Sequence, residues 1–552
     1  MSLPVSRLSI LFACVITLAL AACGRSEAPK PVPKENVTSS APAADTSVLT
    51  ILATSDLRDI EPMVSEIETA TGIRVTFKFG GTFESTEAVQ ANKAGTDAAW
   101  FANAKYLLSD PVGQSRVKLQ EKIMLSPLVI GVSESSARAL TWDRDAKVTW
   151  ADVMKAAKSG KLRYAMSNPA SSNQGFMSVM GVAAAISGKS EALTAADVNR
   201  DAVRDFLSGY KLIGDNSTYL SQKFKDQQGS GPEDINAFIN YESWLLSLNA
   251  KGELKERLTL IYPHEGVATA DYPLMLLNEQ KREPYQKLVA YLKSPPAQTW
   301  LAEKTLRRPI NQDVMKKVSS LFQTDKVLIE LPFTTDRAVA DSLIESYLNE
   351  YRTPIASTFV LDVSGSMNKE GRLTHLVNSL KGIAGADETI TGRFSRLTSR
   401  ERLWMMPFAS NVQSTRGFEI PVAARREEKV ARFAEIRNYA DNLRANGGTA
   451  LYDAIYAALE QLQAERKKSP GYAYSVLVFT DGERTQGMEI DAFLNRYAAL
   501  DAGAKKIPVF LVLYAEGDER ALKKIADVTG GKVFDARKVP LQTVFKEIRS
   551  YQ

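Results

Sequence analysis

Hydrophobic positions fall along this chain in short runs separated by amphipathic stretches, and each kind of run predicts an element. Val48 to Ala53 reads as a buried strand, Ile60 to Ala70 as a helix, and Ile73 to Phe77 as a strand with alternating faces, which together make a β-α-β unit. Pro127 to Val132 is a further strand, Thr149 and Trp150 open a helix, and the polar stretch Asn168 to Gly175 leads into a helix over Phe176 to Ile186. Tyr241, Glu242 and Ser243 read as a loop following a helix. Leu258 to Pro263 reads as a strand, and Leu292 to Gln298 falls in a helical region. An apolar run at Val327 to Leu331, a break at Pro332 and an amphipathic helix from Asp336 to Glu350 then join this part to the rest.

The second half repeats one design. A β-branched, apolar run from Ile355 climbs to Asp362, and hydroxyls follow at Ser364 and Ser366. Leu373, Leu376, Val377 and Leu380 form the stripe of a helix lying on a sheet. Leu403 to Phe408 makes the next strand, and residues 427 to 444 a charged helix. Asn446, Gly447, Gly448 and Thr449 precede a helix with Leu451, Ile455, Leu459 and Leu462 on one face. Ser475 to Thr480 is a buried strand ended at once by Asp481 and Gly482. A late strand at Ile507 to Tyr514 and helices at Glu519 to Val528 and Leu541 to Tyr551 complete the alternation, which predicts a doubly wound α/β domain. In a parallel sheet the strand C-termini share one edge, so Asp362, Ser364, Ser366, Thr449 and Asp481 can meet there. Two carboxylates and three hydroxyls make an open, oxygen-only set of the kind a hard divalent cation takes.

That ordered set resembles the metal-ion-dependent adhesion site of von Willebrand factor A domains, over roughly residues 350 to 552. The resemblance implies that Asp362 and Asp481 supply charge to a divalent cation, Mg²⁺ first and Ca²⁺ or Mn²⁺ as alternatives. It implies that Ser364, Ser366 and Thr449 supply neutral oxygen, and that an acidic residue of a protein partner completes the coordination. Residues 48 to about 325 resemble the two-lobed periplasmic solute-binding proteins of ABC transporters. This rests on the opening strand with Ser55, the strand at Pro127 to Val132 as a crossing between lobes, the Asn168 to Gly175 loop, and Leu258 to Pro263 as the return crossing. It implies a small solute held between hinged lobes, with Ser55, Thr82, Ser171, Ser172 and Glu242 as candidate cleft residues. Glu242 would disfavour an anion there, whereas the Ser171 loop at a helix start would favour one.

The N-terminus adds a compartment. Arg7 precedes the apolar run Leu8 to Leu20, and Leu20-Ala21-Ala22-Cys23 resembles a bacterial lipobox. The expected organisation is a signal peptide at 1–22, a disordered tether at 23–47 lipidated at Cys23, a solute-binding-like domain with its connecting helix at 48–345 and an A domain at 346–552. The chain would then sit on the extracytoplasmic, periplasmic side of a bacterial membrane. Cys14 and Cys23 are its only cysteines, so that processing leaves no thiol for a disulfide. A formal charge of +5 over 552 residues, with no basic block, does not favour nucleic acid. Ser364 is not flanked by the glycines of a nucleophile elbow, and no general base stands at a readable spacing from the metal loop, so an enzyme is not expected. The reading is a lipid-anchored, metal-dependent protein-binding protein. Its alternative is the substrate receptor of an ABC-type transporter with the A domain as docking module, and a third reading is a bilobal spacer whose cleft is filled by apolar side chains.

Overall fold

The structure is a computed structural model that describes residues 48–143, 147–189, 191–214, 216–231, 234–324, 328–481, 484–513, 517–537, 541–549 and 551. The signal peptide, the tether and Cys23 lie outside the described residues, as does Gly482. Among the described residues no helix is long and apolar enough to cross a membrane.

Two sheets occupy the first half. The first runs Arg74–Gly80, Val48–Thr54, Ala98–Trp100, Pro273–Leu276 and Leu119–Lys122. Its first three strands are parallel, and Pro273–Leu276 is antiparallel to both neighbours. The second runs Thr269–Ala270, Met124–Ser133, Ala237–Tyr241, Tyr164–Ser167 and Tyr210–Gly214, with Leu258–Ile261 and Arg308–Pro309 also paired to the long strand. Each sheet with its helices is one lobe, and the chain leaves the first at Ile123 and returns between Ala270 and Pro273. The strand expected at Pro127 to Val132 is thus the longer Met124–Ser133 and lies wholly in the second lobe. Leu258–Ile261, expected as the return crossing, is an antiparallel strand of that lobe. Local pattern marks both as strands; which sheet they join is set by distant partners.

Three helices in these lobes and their connector matter below: α1 (Thr82–Gln90), α2 (Asn173–Ser187) and α3 (Arg337–Ser346), the last continuing as a wider turn through Tyr351. The helix expected over Ile60 to Ala70 is a tight turn, Ser55–Met63, followed by an α-helix, Val64–Thr71. Pro62 sits at the change, where its missing N–H removes a hydrogen bond that a longer α-helix would need.

The last sheet contains β1 (Ile355–Asp362), β2 (Arg402–Phe408), β3 (Arg416–Glu419), β4 (Ala473–Thr480), β5 (Val509–Leu513) and β6 (Lys532–Asp535), in the order β3-β2-β1-β4-β5-β6. All neighbours are parallel except the edge pair β2 and β3. Alternate side chains go to opposite faces. Phe359, Leu361, Leu403, Met405, Leu477 and Phe479 pack on one core, beneath α4 (Arg372–Lys381) and the C-terminal helix. Val360, Met406, Val476, Val478 and Leu511 pack on the other with Ile455, Leu459 and Leu462. The short α5 (Ile390–Ser395) lies between α4 and β2, α6 (Leu451–Lys468) follows the second loop of the sheet edge, and α7 (Leu541–Arg549) ends the fold.

Candidate functional site

Asp362 is the last residue of β1 and is fully buried. Its carboxylate accepts from the Ser364 backbone N–H at 2.8 Å and, through the other oxygen, from the Thr480 hydroxyl at 2.8 Å. The Ser364 and Ser366 hydroxyls lie 3.0 Å apart, and Ser366 donates to Asp481 Oδ1 at 2.9 Å. Asp481, directly after β4, accepts from Arg372 Nη1 on its second oxygen at 2.8 Å. Backbone bonds lock the loops carrying these groups: Gly365 N donates to Gly447 O at 2.9 Å and Asn446 N to Val363 O at 2.8 Å. Gly447 has φ +83°, and a Cβ there would come within 2.9 Å of Ser410 Oγ, so both conformation and space call for glycine. Thr449 is buried and is tied to the third loop, its N–H donating to Thr485 Oγ1 at 2.8 Å and its carbonyl accepting from Thr485 N at 3.0 Å. Asp362, Ser364, Ser366 and Asp481 therefore share one hydrogen-bonded line, with Thr449 on the adjoining loop.

Among the described residues no group of three or more His, Cys, Asp or Glu side chains is placed to hold a metal. A set of two carboxylates with hydroxyls belongs instead to hard-cation chemistry, where water fills the remaining positions. Burial raises the Asp362 carboxyl to about 6 from an ordinary 3.8; the Ser364 and Thr480 hydrogen bonds oppose this and repulsion from Asp481 adds to it. A divalent cation at this edge would relieve both the burial cost and the repulsion. Because the folded carboxyl holds its proton more tightly than the unfolded one, the contribution of Asp362 to cation-free stability is greatest below the unfolded value and is lost as pH rises from there through about 6. The whole change is about 3 kcal/mol. Urea unfolding in chelator on both sides of that window should show the fall, and Asp362→Asn should flatten it.

The expected cleft residues do not form one set. Ser55 is exposed at the start of a tight turn, and Thr82 is buried as the first residue of α1. The Ser171 and Ser172 N–H groups both donate to Asn168 O, at 3.1 and 2.9 Å. Ser172 precedes α2 without capping it through its side chain. Ser171 Oγ has no hydrogen-bond partner among the described residues, and Ser171 lines a cavity of about 340 Å³. Glu242 requires a correction: it begins a helix directly after the strand Ala237–Tyr241 instead of sitting in an open loop. It is fully buried, taking Arg308 Nε at 2.6 Å and Nη2 at 2.7 Å and also the Tyr262 hydroxyl. Its charge is met inside the fold, so the conflict over an anion disappears.

Other groups lie between the lobes. Phe83 of α1 meets Phe176 of α2 edge to face at 5.8 Å, and Tyr106 closes on both at 4.6 and 5.3 Å. Phe333 of the connector reaches Phe176 at 5.8 Å and Phe394 of α5 reaches Phe83 at 5.4 Å. Deeper in, Arg307 lies over the Tyr272 ring at 4.8 Å and donates to Asp59 at 2.7 Å and to the Asp56 carbonyl at 2.6 Å. Asn173 donates to the Tyr241 hydroxyl at 2.9 Å. Asp56 Oδ2, Arg307 Nε and Asn173 Oδ1 are buried there without hydrogen-bond partners among the described residues. Of these residues the sequence pattern marks only Asn173, in the polar stretch before α2, Phe176, which opens that helix, and Tyr241, in the stretch expected as a loop; Asp56, Arg307, Tyr106, Tyr272, Phe83, Phe333 and Phe394 carry no local signal of a place between the lobes.

Residues 49–305 match the family described as bacterial extracellular solute-binding protein, and residues 358–547 match the von Willebrand factor type A domain. Among solved structures, the chain is similar to the periplasmic binding protein AfuA from Actinobacillus pleuropneumoniae, bound to fructose-6-phosphate. The identity is 13%, the TM-score 0.43, and the likeness covers 55% of this chain and 98% of that one. The ferric binding protein from Campylobacter jejuni is 14% identical at a TM-score of 0.40, over 54% and 96% of the two chains. A von Willebrand factor type A protein from Catenulispora acidiphila is 17% identical at a TM-score of 0.28, over 36% of this chain and 42% of that one. None of the curated proteins matches. Both matched families are binding or adhesion domains rather than enzymes. The chain joins a bacterial extracellular solute-binding domain to a von Willebrand factor type A domain, the make-up of an extracytoplasmic binding protein.

Proposed function

We propose that this protein is held to a bacterial membrane by a lipid at Cys23 and binds a protein partner through a divalent cation at the sheet edge. Asp362, Ser364, Ser366, Thr449 and Asp481 would hold the ion, most simply Mg²⁺, and an acidic side chain of the partner would take an open coordination position. The observation that carries this reading is the line of oxygens from Asp362 through Ser364 and Ser366 to Asp481, with two carboxylates close enough to repel. When bound, the cation supplies the positive charge that lets two buried carboxylates stay ionised and draws in a third. The chain's own groups do the rest: Thr480 and the Ser364 N–H orient Asp362, while Arg372 orients Asp481 and covers part of its charge. Thermal unfolding of the full chain in chelator and in Mg²⁺ tests the site. The cation should raise the transition by about 2.7 kcal/mol of stability at a hundredfold excess over its dissociation constant. An unmoved transition with Mg²⁺, Mn²⁺ and Ca²⁺ alike would rule out the ion.

A second reading, the substrate receptor of an ABC-type transporter, has its own support in the buried, unpartnered polar atoms of Asp56, Arg307 and Asn173 between the lobes. Buried polar groups without partners are rare, and a polar solute or ordered water would satisfy them. A thermal-shift screen of the full chain against oxyanions, amino acids and sugar phosphates should then find a stabilising solute whose effect Arg307→Ala removes. No stabilisation by any of them leaves those atoms to water.

A further inference from the structure

The mouth of the inter-lobe cleft is built from three parts of the chain. Gly81, Phe83 and Glu87 come from the first lobe, Asn168 and Ser171 from the second, and α5 and α7 of the C-terminal domain close the remaining side. Glu87 of α1 accepts from both the N–H and the hydroxyl of Thr391 in α5, at 3.1 and 2.9 Å. Phe394, one helical turn on, is almost fully buried against Phe83, inside the same apolar cluster as Phe176 of the second lobe. Arg393 donates to Asp341 of α3 at 2.8 Å, and Asp341 also accepts from Tyr106 of the first lobe at 2.7 Å. On the other lobe, Tyr551 just past α7 meets Tyr219 edge to face at 4.7 Å. Lys546 of α7 donates to Thr391 at 2.7 Å, so the two contact points are themselves connected.

We propose that the von Willebrand factor type domain is the gate of the solute cleft: it grips both lobes at once, and its Phe394 fills the space a hinged pair of lobes would need in order to move. A body fixed to both sides of a hinge prevents the hinge from opening until one attachment is released. On the first lobe the buried Phe394 and the two Thr391 hydrogen bonds to Glu87, and on the second the ring contact of Tyr551 with Tyr219, make release a discrete event rather than a gradual one. Cleft opening and detachment of the C-terminal domain are then the same transition. This proposal does not depend on the metal site.

The test measures the distance between lobes by pulsed electron spin resonance. The full chain carries Cys14→Ser and Cys23→Ser, with spin labels on cysteines replacing the exposed Glu66 and Lys251, one in each lobe. The unsubstituted chain should give a single narrow distribution. Phe394→Ala and Glu87→Ala, which loosen the first-lobe contact, and Tyr219→Ala, which loosens the second, should each add a second distance population. Circular dichroism of each variant reports that the chain remains folded, and Glu87→Ala and Tyr219→Ala change side chains of the two lobes that are only partly buried. Distributions in all three variants that superimpose on the unsubstituted one would overturn the gate.

Discussion

Asp362→Ala is expected to abolish divalent-dependent capture of a partner while leaving the domain folded. The substitution removes one of the two buried carboxylates at the sheet edge, the one that ends β1 between β2 and β4. The stabilisation that Mg²⁺ confers on the parent chain, about 2.7 kcal/mol at a hundredfold excess, should vanish with it. The cation-free variant should lose far less. Alanine leaves the Ser364 N–H and the Thr480 hydroxyl without their acceptor, a cost of roughly 1–3 kcal/mol. It also removes a carboxylate that burial holds unfavourably at neutral pH, which offsets that cost. The comparison is made by thermal unfolding in chelator and in Mg²⁺, with capture measured on the immobilised chain under both conditions. Capture that persists in chelator, in parent and variant alike, would place recognition elsewhere.

Glu401→Gln should be strongly destabilising although it lies outside the hydrophobic cores. Glu401 is buried and takes Arg549 Nη1 at 2.5 Å and Nη2 at 2.7 Å, with the Thr398 N–H at 2.8 Å. Burial works to raise its carboxyl, yet Arg549 and Arg352 hold it below the ordinary range. Arg352, buried nearby, is pushed down to about 10 by burial and then by the repulsion of Arg549. A neutral glutamine would take away the negative charge that both of these buried guanidinium groups face. Removing one partner of such a network costs roughly 3–5 kcal/mol. In a domain of this size that lowers the melting temperature by roughly 6–20 °C. Arg549 also donates to the Ser395 carbonyl at the end of α5, so the same exchange should loosen the segment that grips the first lobe. A melting temperature within a degree or two of the parent's would mean that water reaches the pair.

The local pattern reached the sheet edge because every candidate ligand there is a polar residue placed straight after a buried run or before an amphipathic helix. It did not reach the groups that complete the edge. Arg372 opens α4 like any solvated helix residue, and its partner Asp481 is 109 positions away. Thr480 looks like one more β-branched strand residue until its hydroxyl is seen to meet Asp362. The short edge strands β3 and β6 were missed because four residues carry too little alternation to stand out. Glu242 was read as open to the cleft because Arg308, which cancels it, lies 66 residues on. Phe394 is a lone aromatic in a polar hexapeptide, Ile390 to Ser395, and only the packing of one domain on another gives it a role.

The most direct measurement is a Mn²⁺ titration of the full chain followed by electron paramagnetic resonance of the free ion. The proposed site requires one saturable ion per chain, displaced by Mg²⁺ and lost together in Asp362→Ala and in Asp481→Ala. Equal Mn²⁺ uptake by the parent chain and both variants, or none by the parent, would contradict it.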